Sequence, residues 1–122
     1  MNITTAVCEW LQRELKQALG ADAKVFALAS KQEVQGSYVV YDSIELQRQY
    51  TKDGSYPVSV TARLLVVDRS LTTAEFLADS VEALMTDGYI PNVGDIRVSQ
   101  RRSDYDSTTG EYVEEIRITV EI

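Results

Sequence analysis

The closing segment "EYVEEIRITVEI", Glu111 to Ile122, puts Ile116, Ile118, Val120 and Ile122 at one parity and Glu115, Arg117, Thr119 and Glu121 at the other. Side chains on a strand alternate between faces, so a two-residue period this regular fits a strand and not a helix. It also requires a sheet with one dry face and one wet face. The rest of the chain must therefore supply an apolar cover.

Two segments have the right period to do so. At the N-terminus Ile3, Val7, Trp10, Leu11, Leu15, Ala18 and Leu19 recur at helical spacing, with Gln12, Arg13, Lys16 and Gln17 opposite and Gly20 as a stop. In "TTAEFLADSVEALM", Leu77, Val81 and Leu84 form a stripe with Ala74 and Ala78, and Gly88 ends the helix. Thr72 and Glu75 have capping-box spacing, and Leu71 with Phe76 would form the hydrophobic staple around it. These phases predict a shared core of Trp10, Leu11, Leu15, Leu77, Val81, Leu84, Ile116, Ile118 and Val120.

The remaining segments read as strands and turns. "KVFALA" (Lys24 to Ala29) is a short strand and "KQEVQGS" a loop. "YVVYDSIELQ", from Tyr38, is rich in β-branched and aromatic residues. In "RQYTKDGSYP" Asp53-Gly54 marks a hairpin and Pro57 the start of the next strand, Val58 to Asp68. That strand alternates until "LLVV", which is apolar on both faces and needs cover on both sides, from the chain itself or from a partner. "YIPNVGD" is a connector, and "STTG" joins "IRVSQRRSDYD" to the closing strand. The expected order is α-β-β-β-α-β-β: an α+β, two-layer fold with both helices on one face of a mostly antiparallel sheet. Residues 1–122 show no repeat, low-complexity tract or linker, and a single domain is expected.

Little in the sequence suggests catalysis. The chain has no histidine, so imidazole catalysis and histidine-ligated metal are excluded. Cys8 is the only cysteine; it permits no internal disulfide and falls at the edge of the first helix's buried stripe. Neither a nucleophile elbow nor a phosphate-binding glycine loop is present. "DYDSTTGEYVEE" places Asp104, Asp106, Thr108 and Glu115 at calcium-loop positions, but Thr109 stands where the turn glycine belongs and strands flank the loop; a hairpin tip is the default reading. Glu114 and Glu115 are neighbours on a strand and point to opposite faces, so they do not make a paired-carboxylate site. No cofactor, metal or small-molecule substrate is expected.

Nineteen acids against twelve bases give a net charge of −7, which opposes binding to nucleic-acid phosphate or to a membrane. Arg63, Arg69, Arg101 and Arg102 lie near strands; scattered solvated charge is the plainer reading than a basic face. No run reaches transmembrane length, and the charged N-terminus does not read as a signal peptide, so the expected compartment is cytoplasmic. Tyr50 and Tyr56 bracket one hairpin loop, and Tyr105 and Tyr112 another. Tyrosines so placed either pair across strands or serve an interface.

Taken in order, the N-terminal helix, "KVFAL", "YVVYDS", "YTKDGSYPVSVTARLLVVDRS", "TTAEFLADSVEALM" and "RRSDYDSTTGEYVEEIRITVEI" resemble the small tail-terminator, or tail-completion, proteins of long-tailed bacteriophages of the lambda type. The resemblance covers nearly the whole chain. It implies a homo-oligomer, a hexameric ring that docks on the finished tail tube, halts its polymerisation and offers a surface to the head–tail connector. It also implies assembly in the bacterial cytoplasm, residence in the virion tail, and no catalytic residue. Tyr50, Tyr56, Leu65, Val67, Tyr105 and Tyr112 then become candidate contacts to a neighbouring subunit or to the tube. Two other readings stay open: a different head–tail joining or minor tail subunit, and a ferredoxin-like regulatory domain that binds a small molecule.

Overall fold

The computed structural model describes residues 2–20, 24–27 and 36–122. Helix α1 (Ile3–Leu19) is followed by strands β1 (Val25–Ala27), β2 (Tyr38–Thr51) and β3 (Gly54–Asp68). Helix α2 (Leu71–Thr86) and strands β4 (Tyr89–Ile90), β5 (Gly94–Asp106) and β6 (Glu111–Glu121) complete the order. The strands form one sheet, β1-β2-β3-β6-β5-β4. β1 and β2 run parallel and the other pairs antiparallel, so the sheet is mixed and the fold α+β. Leu28 and Ala29 of the expected first strand lie outside the described residues.

Two features differ from the architecture expected from sequence. The "YIPNVGD" connector contains a strand, because Tyr89 and Ile90 pair with Asp95 and Gly94. The sheet is also not a flat layer. Helix α1 touches β1 and β2 near one edge and β4 at the other. One helix thus reaches both edges of a six-stranded sheet. The sheet curls as a half-barrel.

The inner face carries the main core. Ile116, Ile118 and Val120 are buried against Val7, Trp10, Leu11, Leu15, Val81 and Met85. Ile122 lies past the end of β6 and is 47% exposed. On α2 the buried row is Ala74, Ala78, Val81 and Met85, while Leu77 and Leu84 are only half-buried against its flank. Two alanines facing the sheet let the helix axis approach closely, and the leucines then fill the sides.

The start of α2 also differs from expectation. Ser70, not Thr72, is the N-cap: its Oγ accepts from the Thr73 N–H, and its own N–H donates to Asp68 Oδ2 at 2.7 Å. Asp68 and Ser70 supply acceptors ahead of Thr72, so the helix begins at Leu71. Leu71 and Phe76 consequently form no staple; Phe76 points outward and is 69% exposed.

The first hairpin is longer than its turn residues suggest. Arg48 to Thr51 and Gly54 to Pro57 are paired strand, leaving Lys52-Asp53 as the tip. Pro57 is tolerated because it falls where the β2–β3 register shifts, between Gln47 and Arg48, an irregularity that accommodates its missing N–H. The register also fixes where the two hairpins go. β6 meets Asp68 with Tyr112 and Ser59 with Glu121. The β2–β3 tip and the β5–β6 tip therefore project from opposite ends of the sheet. The fifteen residues of β3 span roughly 50 Å at about 3.3 Å each.

Candidate functional site

The outer sheet face, turned away from the helices, carries the second parity of β2, β3 and β6. One half is apolar. Tyr38, Val40 and Val67 are buried against one another, with Phe26, Leu65 and Val113 packed around them. The outer side of "LLVV" is thus buried within the chain at Val67 but only in part at Leu65. Val67, 4% exposed, is packing rather than free surface, whereas Leu65 is half-buried.

The other half is an ion network. Arg63 and Arg117 stand directly opposite across β3 and β6, an arrangement that repels unless anions intervene. Arg63 donates through Nε and Nη2 to both oxygens of Asp42, and Arg63, Arg102 and Arg117 all lie within 3.7 Å of Glu115. The hydrogen bonds from Arg63 hold the Asp42 carboxyl below its usual range despite its burial, and Asp42 in turn raises the guanidinium. Asp42 and Glu115 are sunk at the bottom, while Arg102 and Arg117 reach solvent. Within the network three guanidiniums share two carboxylates. Between the two halves lies an open hollow of about 420 Å³. Leu65, Val113, Tyr105 and Ser107 line it, with Arg63 and Arg102 set against Asp104, Asp106 and Glu115.

The candidate residues separate into two groups. Tyr50 (76% exposed) and Tyr56 (52%) are strand residues near the β2–β3 tip. Tyr105 and Tyr112 face each other across β5 and β6 at the far end, ring centroids 4.8 Å apart and tilted by 50°. Leu65 and Tyr105 share the hollow; the two tyrosine pairs do not come together.

The acidic loop positions are engaged elsewhere. Asp106 Oδ1 accepts from the N–H groups of Thr108 and Thr109, which ties the turn, and Asp104 Oδ1 accepts from the Tyr105 N–H. Glu115 is held by arginines. Among the described residues no group of three or more carboxylate, thiol or imidazole ligands is placed to hold a metal. Cys8 is half-buried, and burial followed by the charge of Glu9 pushes its thiol up, so the protonated form is favoured.

Two features were not anticipated from the sequence. Glu114, on the inner face, is 1% exposed and accepts from Ser103 Oγ, with its other oxygen 3.9 Å from Arg101 Nη2. Arg101 also binds Asp79 and Glu82, at 2.6 and 2.7 Å, and so ties α2 to β5 and β6. The four arginines noted above thus do not make one basic face. Arg101 and Arg102 are strand neighbours on opposite faces, and Arg69 is an exposed turn residue. The second feature is the outward side of α2, where Phe76 stands exposed beside Glu75. Strand parity foretold the split of Glu114 from Glu115, but nothing local announced that Phe76 would be free. Among the described residues no helix is long and apolar enough to cross a membrane.

No family model and no curated protein matches the sequence. Among solved structures the fold is similar to a chain in the virion of a native gene transfer agent particle. The two share 13% identity with a TM-score of 0.69, over 98% of this chain and 92% of that one.

Proposed function

We propose that this chain is a structural subunit of a phage or phage-like particle, acting at the end of the tail tube as a terminator ring. The observation that carries the reading is the shared fold, which extends over 98% of the chain, with a component of a gene transfer agent virion. The placement of the tyrosines supports it. Tyr50 and Tyr56 stand exposed at one end of a sheet roughly 50 Å long, and exposed Tyr105 with half-buried Tyr112 at the other, so a subunit set upright presents aromatic contacts in two opposite directions. Aromatic side chains provide large contact area with a polar handle, and interfaces favour them.

The physical requirement is a stop signal. An unfinished tube end binds the next subunit, so a terminator must bind that end more tightly and then present no equivalent surface. A head-to-tail ring meets this condition, because its contacts close laterally while its upper and lower rims stay different. In this reading six copies form the ring, one hairpin end meets the tail tube protein, and the other meets the head–tail connector. No cofactor takes part.

The test is tube length. Purified chain added to its cognate polymerising tube subunits is expected to stop elongation, and particles lacking it are expected to carry overlong tubes, both measured by electron microscopy. Unchanged lengths in both experiments would reject termination and favour a head–tail joining subunit.

A further inference from the structure

Strand β5 borders the sheet over most of its length. Among the described residues its outer edge is covered only at Gly94 and Asp95, by β4, and at Ile96, whose N–H donates to the Gly88 carbonyl. A bulge at Ser99 follows, and from Gln100 to Asp106 the strand pairs with β6 alone. Such an edge keeps a row of backbone donors and acceptors in water, a template for another extended chain. The outer-face hollow lies beside this same stretch. Arg102, Asp104 and Asp106 share one parity of β5 and line the hollow together with Leu65 and Val113. Asp104 Oδ1 accepts from the Tyr105 N–H and Asp106 Oδ1 ties the turn, so the second oxygen of each carboxylate is unengaged among the described residues. The Arg102 side chain is 64% exposed, with its Nε 3.7 Å from Glu115 and its terminal nitrogens turned to solvent.

We propose that an extended strand of a partner protein adds to β5 along Gln100–Asp106, antiparallel to it. A basic side chain of that strand stands opposite Asp106 and an acidic one opposite Arg102. Between them a large apolar side chain reaches into the hollow over Leu65 and Val113. Backbone pairing supplies affinity for an extended chain, and the alternate side chains choose which chain. Opposite charges across a ladder stabilise it and like charges oppose it, so the charge order on β5 admits one strand and rejects others. The antiparallel direction follows from its more stable ladder. A second copy does not match this edge. Pairing β5 with β5 would bring Arg102 to Asp106 only by setting Asp104 against Asp104, and β2 has no base followed four residues later by an acid. This deepens the reading above, on which it rests for the existence of an assembly partner, by giving the β5–β6 end a mode of attachment.

Peptide binding to the full chain tests it, at physiological ionic strength so that net charge alone does not decide. The probe is a labelled nine-residue peptide with lysine, phenylalanine and glutamate at its third, fifth and seventh positions and threonine elsewhere. It should bind and slow amide exchange from Gln100 to Asp106. N-methylating one alternate set of its amides should abolish binding, while the other set is tolerated. A second peptide, with lysine in place of the glutamate, should bind at least tenfold more weakly, and Arg102→Glu should reverse that preference. Arg102 is exposed, and circular dichroism with thermal melting checks that the variant folds. No binding, binding indifferent to both N-methylated forms, or a preference that folded Arg102→Glu leaves unchanged would each overturn the proposal. A dimer of the unaltered chain in light scattering, lost in Arg102→Glu, would overturn it in favour of a second copy. Capping is read separately, from tube length, and stands or falls there.

Discussion

Gly94 is the residue whose identity the backbone most constrains. A Cβ there would lie 1.6 Å from the Glu121 carbonyl oxygen, and neither strand can retreat without breaking the β5–β6 ladder. Gly94→Ala should cost about 2–4 kcal/mol, as steric conflict with backbone at a close approach. Its urea midpoint should fall accordingly, and an unchanged midpoint would refute the close approach. Asp42 makes a different prediction, one about pH. Its carboxyl is held below the ordinary range by the Arg63 hydrogen bonds, so the folded chain binds fewer protons there than the unfolded chain. That stabilisation is present above the ordinary aspartate range and is lost as pH falls through the depressed value. Asp42→Asn should therefore lower stability at neutral pH by about 1–3 kcal/mol. It should also flatten the decline below about pH 4. Parallel stability curves from pH 7 to pH 3 would count against the pairing.

At the scale of elements, α2 is held in two ways. Its buried row packs on β3, β5 and β6, so Val81→Ala should cost about 1–3 kcal/mol through lost burial and a partial cavity. The second hold is Arg101, which binds Asp79 and Glu82 and lies close to the buried Glu114. Replacing Arg101 with methionine removes the counter-charge of a carboxylate that is 1% exposed, and should cost about 3 kcal/mol. Adding Glu114→Gln should recover much of that loss, because the uncompensated charge goes with it. Equal stability of the single and double variants in urea melts would show that Glu114 does not depend on Arg101.

For the whole molecule, the two hairpins work as separate extensions. Their tips lie at opposite ends of β3 and are solvent-exposed, so substitutions there should leave the fold intact. Tyr50→Ser with Tyr56→Ser should change stability by no more than about 0.5 kcal/mol. If the tips meet different partners, that double variant should lose one attachment, to tube or to head, and Tyr105→Ser should lose the other. Tube-length counts and head-joining assays on the same preparations separate the outcomes. Variants that lose both attachments together would place both partners at one end of the molecule.

The parts of this structure legible in the sequence are those set by local periods. The parity of Ile116, Ile118 and Val120, the stripe of Trp10, Leu11 and Leu15, and the turn at "STTG" all follow from side-chain spacing along a single element. The face of Glu114 against that of Glu115 follows too. Where α2 begins was less legible, because Asp68, Ser70 and Thr72 all offer N-capping chemistry and only the chain's exit from β3 decides among them. The two-residue β4, the parallel β1–β2 pair and the curl depend on contacts between segments far apart in sequence, which no local pattern encodes. The candidate surfaces divide in the same way. Exposed tyrosines near hairpin tips could be read from turn residues, whereas their lying at opposite ends follows from the β3–β6 register. That Phe76 stands exposed was decided by packing alone, since a residue's freedom depends on what its neighbours cover.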